Sequence, residues 1–248
     1  MTAEGDTMPI SLIRSAWAGS AKYGALVWSG DIVSTFECFR RQVQAGLNMA
    51  IAGIPWWTTD IGGFHGARTD DPDFHRLYIR WFEYGCFCPV MRLHGNRNPQ
   101  EGYGAEQIGS GSDNEIWSFG DKAYEISKKY IFLRERLRDY IRTQMKKAHE
   151  DGTPMMRPVF YDFPTDQESW NVEDAYLFGP DLYVAPVMED HVTEREVYLP
   201  DGTAWFNAWT GEKYEGGQNV TVAAPMDIIP VFVREGADTE HLLNIFSE

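Results

Sequence analysis

From residue 10 to residue 150 the chain alternates short apolar runs with longer amphipathic stretches. Residues 23–28, YGALVW, form a nearly continuous apolar run flanked by glycines, which predicts a strand buried on both faces of a parallel sheet. Next to it, Ser34 and Glu37 have the spacing of a capping box, and Phe36, Phe39, Val43 and Leu47 fall on one helical face. Residues 49–54, MAIAGI, read as the next buried strand. Asp71 before Pro72 predicts a helix start, with Phe74, Leu77, Tyr78, Trp81 and Phe82 as its apolar stripe. Residues 87–91, FCPVM, read as a third strand, against which Pro89 counts because it has no ladder donor. A helical period then runs over 121–150 through Ala123, Ile126, Tyr130, Leu133, Leu137, Ile141 and Met145, and Gly152 is its stop. Ahead of the first strand, Ile10, Ile13 and Trp17 predict a short helix or turn.

The character changes near Asp174. Beyond it YLFG, LYVAPVM, REVYLP, AWFNAW, NVTVAAP and IIPVFVRE are short strand-like runs between Gly, Pro and Asp turns, the signature of a β-sandwich or barrel. Alternating strands and helices followed by all-β structure imply two domains, 1–173 and 174–248.

Candidate chemistry concentrates in residues 28–66, where Asp31 and Asp60 each follow an apolar run, with Trp28 or Trp56 and Trp57 close upstream. In a βα barrel the strand C-termini carry the chemistry. Two acids presented from successive strand ends and walled by indole rings suggest a sugar site. Asp31 could instead cap the next turn, and Asp60 suits a backbone-turn role as well as a site role. Trp56 and Trp57 cannot both face the site if the backbone is extended, so one belongs to the core. Composition sharpens this reading only in part. The 9 Trp and 14% aromatic content suit sugar stacking, although core is the commoner use of an indole. A net charge of −15 argues against nucleic acid, which needs clustered Lys and Arg. Cys38, Cys86 and Cys88 form no disulfide framework, and a zinc site at the last two lacks a second ligand pair. With no secretory leader pattern and no apolar run of membrane-spanning length, the expected setting is cytoplasmic, away from the membrane.

The motifs WSGD, PWWTTDIGGF and RLHG, in this order and spacing, resemble successive strand-end motifs of glycoside hydrolase family 31, the retaining α-glycosidases that include α-glucosidases and α-xylosidases. MRPVFYDFP and YLFGPDLYVAPV resemble that family's exit from the barrel and the β-sandwich beyond it, so the resemblance covers nearly the whole chain. It implies an α/β plus all-β fold: a partial (β/α)8 TIM barrel, strands six to eight with their helices, followed by a β-sandwich. It implies Asp31 as general acid/base after strand six and Trp28 as a wall of the sugar subsite. Arg14 is implied to contact the sugar hydroxyls and the acidic pair, and Asp60 to be the supporting aspartate after strand seven. Phe64 is implied on the leaving-group side, and His94, after strand eight, as a ligand of a sugar hydroxyl. No cofactor and no metal are implied.

One departure dominates. The family's nucleophile lies in a W-x-D-x-N-E motif after strand four, and nothing in this sequence matches it. Residues 112–115, SDNE, contain D-N-E but lie downstream and lack the spacing. The expectation is therefore the C-terminal part of a longer enzyme, inactive alone, whose partners are an oligosaccharide or small α-glycoside and either the missing N-terminal part or a second copy at the open barrel edges. PWWTTDIGGF looks closer to the xylosidase side than the glucosidase side. Two alternatives remain: a non-catalytic sugar-binding remnant, and a metal-dependent barrel hydrolase using His65, His75, His94 and Asp60, whose spacing fits no compact ligand motif.

Overall fold

A computed structural model of the chain describes residues 10–98, 112–236 and 238–247. The expectations for residues 1–9 and for most of the 95–112 loop lie outside the described residues. The first layer is a parallel sheet of β1 (Ser11–Ile13), β2 (Ala25–Trp28) and β3 (Trp57–Thr58), side by side in that order. Leu12 pairs with Leu26, and Val27 with Trp57. The run at 23–28 thus forms the parallel strand that its pattern predicts, with Ala25, Leu26 and Val27 buried.

Three neighbouring expectations are corrected. Residues 11–13 are a strand rather than a helix or turn. Their apolar spacing was too short to fix a period, and pairing with β2 decides it, starting with the Ser11 N–H donating to Gly24 O at 2.8 Å. MAIAGI is not a strand: α1 (Phe36–Ile51) runs through its first three residues, and β3 begins only at Trp57. The short run extends the buried face of α1 at Leu47 and Ala50, and left-handed Gly53 (φ 78°) then turns the chain. FCPVM is not a strand either. It begins at Phe87, the C-cap just past α2 (Pro72–Cys86), and continues as a bend in which Val90 N–H donates to Trp57 O at 3.2 Å without forming a ladder. The N-cap of α1 is Thr35, whose Oγ1 accepts from Cys38 N–H at 3.1 Å, one residue later than the capping-box reading.

The start of α2 is as expected, with Asp71 accepting from Asp73 N–H at 2.9 Å and Pro72 in the first turn. The other end is closed by Arg134, which donates to the carbonyls of Cys86 (2.6 Å), Cys88 (2.9 Å) and Pro89 (3.0 Å). That arginine lies on α3 (Asp121–Arg136), which is followed by α4 (Arg138–Glu150). The single long helix expected over 121–150 is therefore two, divided at Leu137, whose side chain is fully buried. Cys86 and Cys88 are buried fillers whose thiols burial pushes up to about 12, whereas Cys38 is half-buried.

The second layer is a six-stranded antiparallel sheet. Its order is β4 (Met156–Arg157), β5 (Tyr176–Phe178), β6 (Leu182–Val184), β11 (Val231–Arg234), β8 (Ala204–Asn207) and β9 (Lys213–Glu215). A two-stranded sheet of β7 (Glu194–Leu199) and β10 (Gln218–Ala223) completes it, with Leu177, Tyr183, Val197, Leu199, Trp205, Val222 and Phe232 in one shared core. This is the β-sandwich, and it takes in β4 ahead of Asp174. A final helix, α5 (Thr239–Ser247), packs Phe246 parallel to Phe87 with centroids 6.3 Å apart.

One larger core runs from the parallel sheet through α1, α2 and α3 into the sandwich. Polar ties cross the same junction. Buried Arg80 on α2 pairs with buried Glu83 at 3.1 Å and donates to the carbonyls of Val192, Ala224, Pro225 and Ile228. Burial pushes the Glu83 carboxyl up to about 8. Arg76 grips Asp190 through Nε (2.7 Å) and Nη2 (2.9 Å). On the far side β1 is an edge strand among the described residues, and large apolar side chains around it are exposed: Ile10 64%, Leu12 42% and Tyr23 71%. No helix among the described residues is long and apolar enough to cross a membrane.

Candidate functional site

The strand ends gather the predicted site residues. After β2, Gly30 at φ 81° turns the backbone and leaves Asp31 at the rim, with Ile32 N–H donating back to Gly30 O at 3.0 Å. Arg14, one residue past β1, donates to Asp31 Oδ1 at 3.0 Å. Its guanidinium stands 5.4 Å from the centre of the Trp28 ring. A second arginine, Arg92, lies 5.8 Å from the same ring and holds Asp60 Oδ1. Two arginine–aspartate pairs therefore bracket one indole, each cation within reach of its π face.

The two acids differ in setting. Asp31 keeps 42% of its side chain exposed, whereas Asp60 is fully enclosed. Burial pushes the Asp60 carboxyl up to about 6; Arg92 and Arg97 oppose this, and the charge of nearby Asp31 adds to it. Among the described residues Asp60 Oδ2 has no hydrogen-bond partner, and the same holds for buried Ser29 Oγ and Asn96 Oδ1. Buried acceptors left open in this way are suited to a polar ligand.

His94 comes in from the segment beside β3. Its pKa is lowered first by burial, then by the cations Arg92 and Arg97, while Asp31 pulls the other way. Phe64 packs against it with ring centres 5.4 Å apart, and against His65 at 4.4 Å. Phe64 is held by its N–H, which donates to Ile32 O. The structure thus draws Arg14, Trp28, Asp31, Asp60, Phe64 and His94 into one linked set of contacts.

Other sequence candidates fall outside it. Trp57 is the core indole, 3% exposed and packed on Gly46 of α1, where a Cβ would stand 2.7 Å from its Nε1. Trp56 is half-buried and lies parallel to His149 of α4 at 6.4 Å. His75 contacts Thr69 O at 2.6 Å through Nε2, a local tie. Glu115 accepts from Asn114 N–H at 3.1 Å and from Ser118 Oγ at 3.2 Å, so it serves its own turn. Among the described residues no cluster of His, Cys, Asp or Glu could hold a metal.

Sequence reasoning did not place Arg92 among the site residues, and it missed Arg97, which is fully buried and bonded to the loops after Asp31 and Asp60. The only sequence signal was its place, three residues after His94 and two after Gly95.

Chemically, the arrangement offers a rim carboxyl, an aromatic wall, a buried carboxyl with an open acceptor and a ring nitrogen. A ring carrying several hydroxyls could use all four.

Residues 1–144 match the Glycosyl hydrolases family 31 TIM-barrel domain, and residues 152–237 match the Glycosyl hydrolase family 31 C-terminal domain. A solved α-xylosidase of the same family from a soil metagenome, complexed with xylose, superposes with a TM-score of 0.93 at 53% identity over 98% of this chain and 37% of its own. An α-xylosidase of Saccharolobus solfataricus is 39% identical over 92% of this chain and 29% of its own length. α-Glucosidase 2 of Bacillus thermoamyloliquefaciens is 34% identical over 92% of this chain and 27% of its own. The chain thus spans about a third or less of the length of these relatives.

Proposed function

Because the chain belongs to glycoside hydrolase family 31, we propose that it supplies the proton-transferring half of a retaining α-glycosidase site, with α-xylosides as the favoured substrate and α-glucosides second. In this reading Asp31 protonates the leaving oxygen, then takes a proton from the incoming water. The attacking carboxylate comes from a further length of polypeptide, because retention needs two carboxyls roughly 5–5.5 Å apart and Asp60 is already enclosed with Arg92. Trp28 walls the sugar, Arg14 and Arg92 hold the acids and reach hydroxyls, and Asp60 Oδ2 and His94 accept or donate hydrogen bonds to the ring. Phe64 lies toward the leaving group.

The observation that carries this is the pair of Arg–Asp contacts sharing the Trp28 face, with His94 alongside. The xyloside preference rests on the greater likeness to α-xylosidases. The chain alone then binds sugar through its open acceptors without turning it over.

The test assays nitrophenyl α-xyloside and α-glucoside hydrolysis by this chain, and by a full-length enzyme carrying it, each with and without Asp31→Asn. Turnover is expected only in the full-length form and is abolished by the substitution. Robust Asp31-dependent turnover by the isolated chain would show that an attacking group lies within it. Full activity of the Asp31→Asn enzyme would remove Asp31 from the acid/base role.

A further inference from the structure

We propose that Arg97 is a positioning residue of this site: one buried guanidinium fastens the loops that carry Asp31, Asp60 and His94, and sets the geometry of the last two. The proposal rests on the acid/base reading above. Arg97 is fully buried, where a cation persists only if its donors are satisfied. Nη1 donates to Gly63 O at 2.8 Å and to Ser34 Oγ at 3.4 Å. Nη2 donates to Ile61 O at 3.1 Å, and Nε to Asn114 Oδ1 at 2.7 Å. The ring of Phe74 stands 4.7 Å from the guanidinium carbon.

The order of these partners along the chain gives them meaning. Ser34 lies three residues after Asp31, Ile61 and Gly63 lie one and three residues after Asp60, and Arg97 itself lies three residues after His94. A planar fork with fixed donor directions can hold several loops in one arrangement, whereas an ammonium is a single point charge.

The loops are shaped to admit it. A Cβ on Gly95 would stand 2.5 Å from the guanidinium carbon, and one on Gly62 would stand 3.2 Å from Nη2. Burial lowers the Arg97 pKa to about 10, so it stays charged through the working range. Its charge draws the carboxyl of Asp60 and the imidazole of His94 downward.

The test uses the full-length enzyme carrying Arg97→Met, Arg97→Lys or Asn114→Ala, with Asp31→Asn as reference. Arg97→Met is expected to lower kcat/KM by about 100-fold, the scale of a one-ångström misplacement. The acid limb of the pH profile should move up by about half a pH unit, because Asp60 and His94 both lose a cation that favours their deprotonated forms. Arg97→Lys should recover the limb but only part of the rate. Asn114→Ala removes one acceptor from a half-exposed position and should lower kcat by about 5-fold with a smaller loss of melting temperature than Arg97→Met. This variant decides the matter if Arg97→Met fails to fold.

An Arg97→Met enzyme within about 3-fold of wild type, or one whose loss follows melting temperature while the pH limb stays fixed, overturns the proposal. So does Asn114→Ala at wild-type kcat. If Asp31→Asn is inactive while these variants are not, only the positioning role fails. If Asp31→Asn is active, the parent reading fails.

Discussion

Asp60→Asn should make the chain more stable near neutral pH while costing it sugar binding. Asp60 is fully enclosed, and one of its carboxylate oxygens has no partner. Burial raises its pKa from 3.8 to about 6 in spite of Arg92. The fold therefore prefers the protonated carboxyl. Below about pH 4 the folded and unfolded chains both hold the proton and no penalty exists; as pH rises through about 6 the folded state must ionise an enclosed group, and stability falls. A rise of this size corresponds to roughly 3 kcal/mol, reduced to about 2 by the screening that remains at a pocket wall. Asparagine keeps the shape and a carbonyl acceptor for Arg92 without the charge. Urea unfolding of both forms at intervals from pH 4 to pH 7.5 should show the variant gaining on wild type by about 2 kcal/mol across the series, while calorimetry with xylose shows weaker binding. A stability difference that is flat with pH, or one that moves in favour of wild type as pH rises, would refute the argument about Asp60.

Arg80→Met should destabilise the chain by about 3–5 kcal/mol in urea, because it strands buried Glu83 and four carbonyls at the barrel–sandwich junction. Adding Glu83→Gln should recover part of that loss, and a strictly additive double variant would mean that the two side chains do not act as a pair. At the other side of the molecule, β1, an edge strand among the described residues, and its exposed apolar neighbours should drive self-association of the isolated chain, which Leu12→Lys weakens. Sedimentation of the unsubstituted chain as a monodisperse monomer would contradict this.

What the sequence made legible depended on whether the deciding force was local. The start of α2 was readable because cap and proline act within one turn. The strand at Ala25–Trp28 was readable because glycines at 24 and 30 bound so short an apolar run on both sides. MAIAGI and FCPVM misled for the opposite reason: a run of five or six apolar residues buries equally well as a helix end or as a strand, and only packing of α1 and α2 against the sheet decides. The break at Leu137 lay hidden inside an unbroken helical period. At the site, motif order named six residues that the fold brings close together, because the order of strand-end motifs carries spatial information that composition does not. Arg97 escaped because nothing local marks an arginine as buried; two of its acceptors are backbone oxygens of residues more than thirty positions away.

The sulfur positions have a practical outcome. Two of the three thiols are sealed in the core with pKa values near 12, which leaves Cys38, in the first turn of α1, as the one accessible to a maleimide dye. A fluorophore placed there would sit seven residues after Asp31, at the start of the helix that the Asp31 loop leads into. The native chain therefore already contains a single-site handle for watching sugar arrive, with no cysteine needing to be removed or introduced.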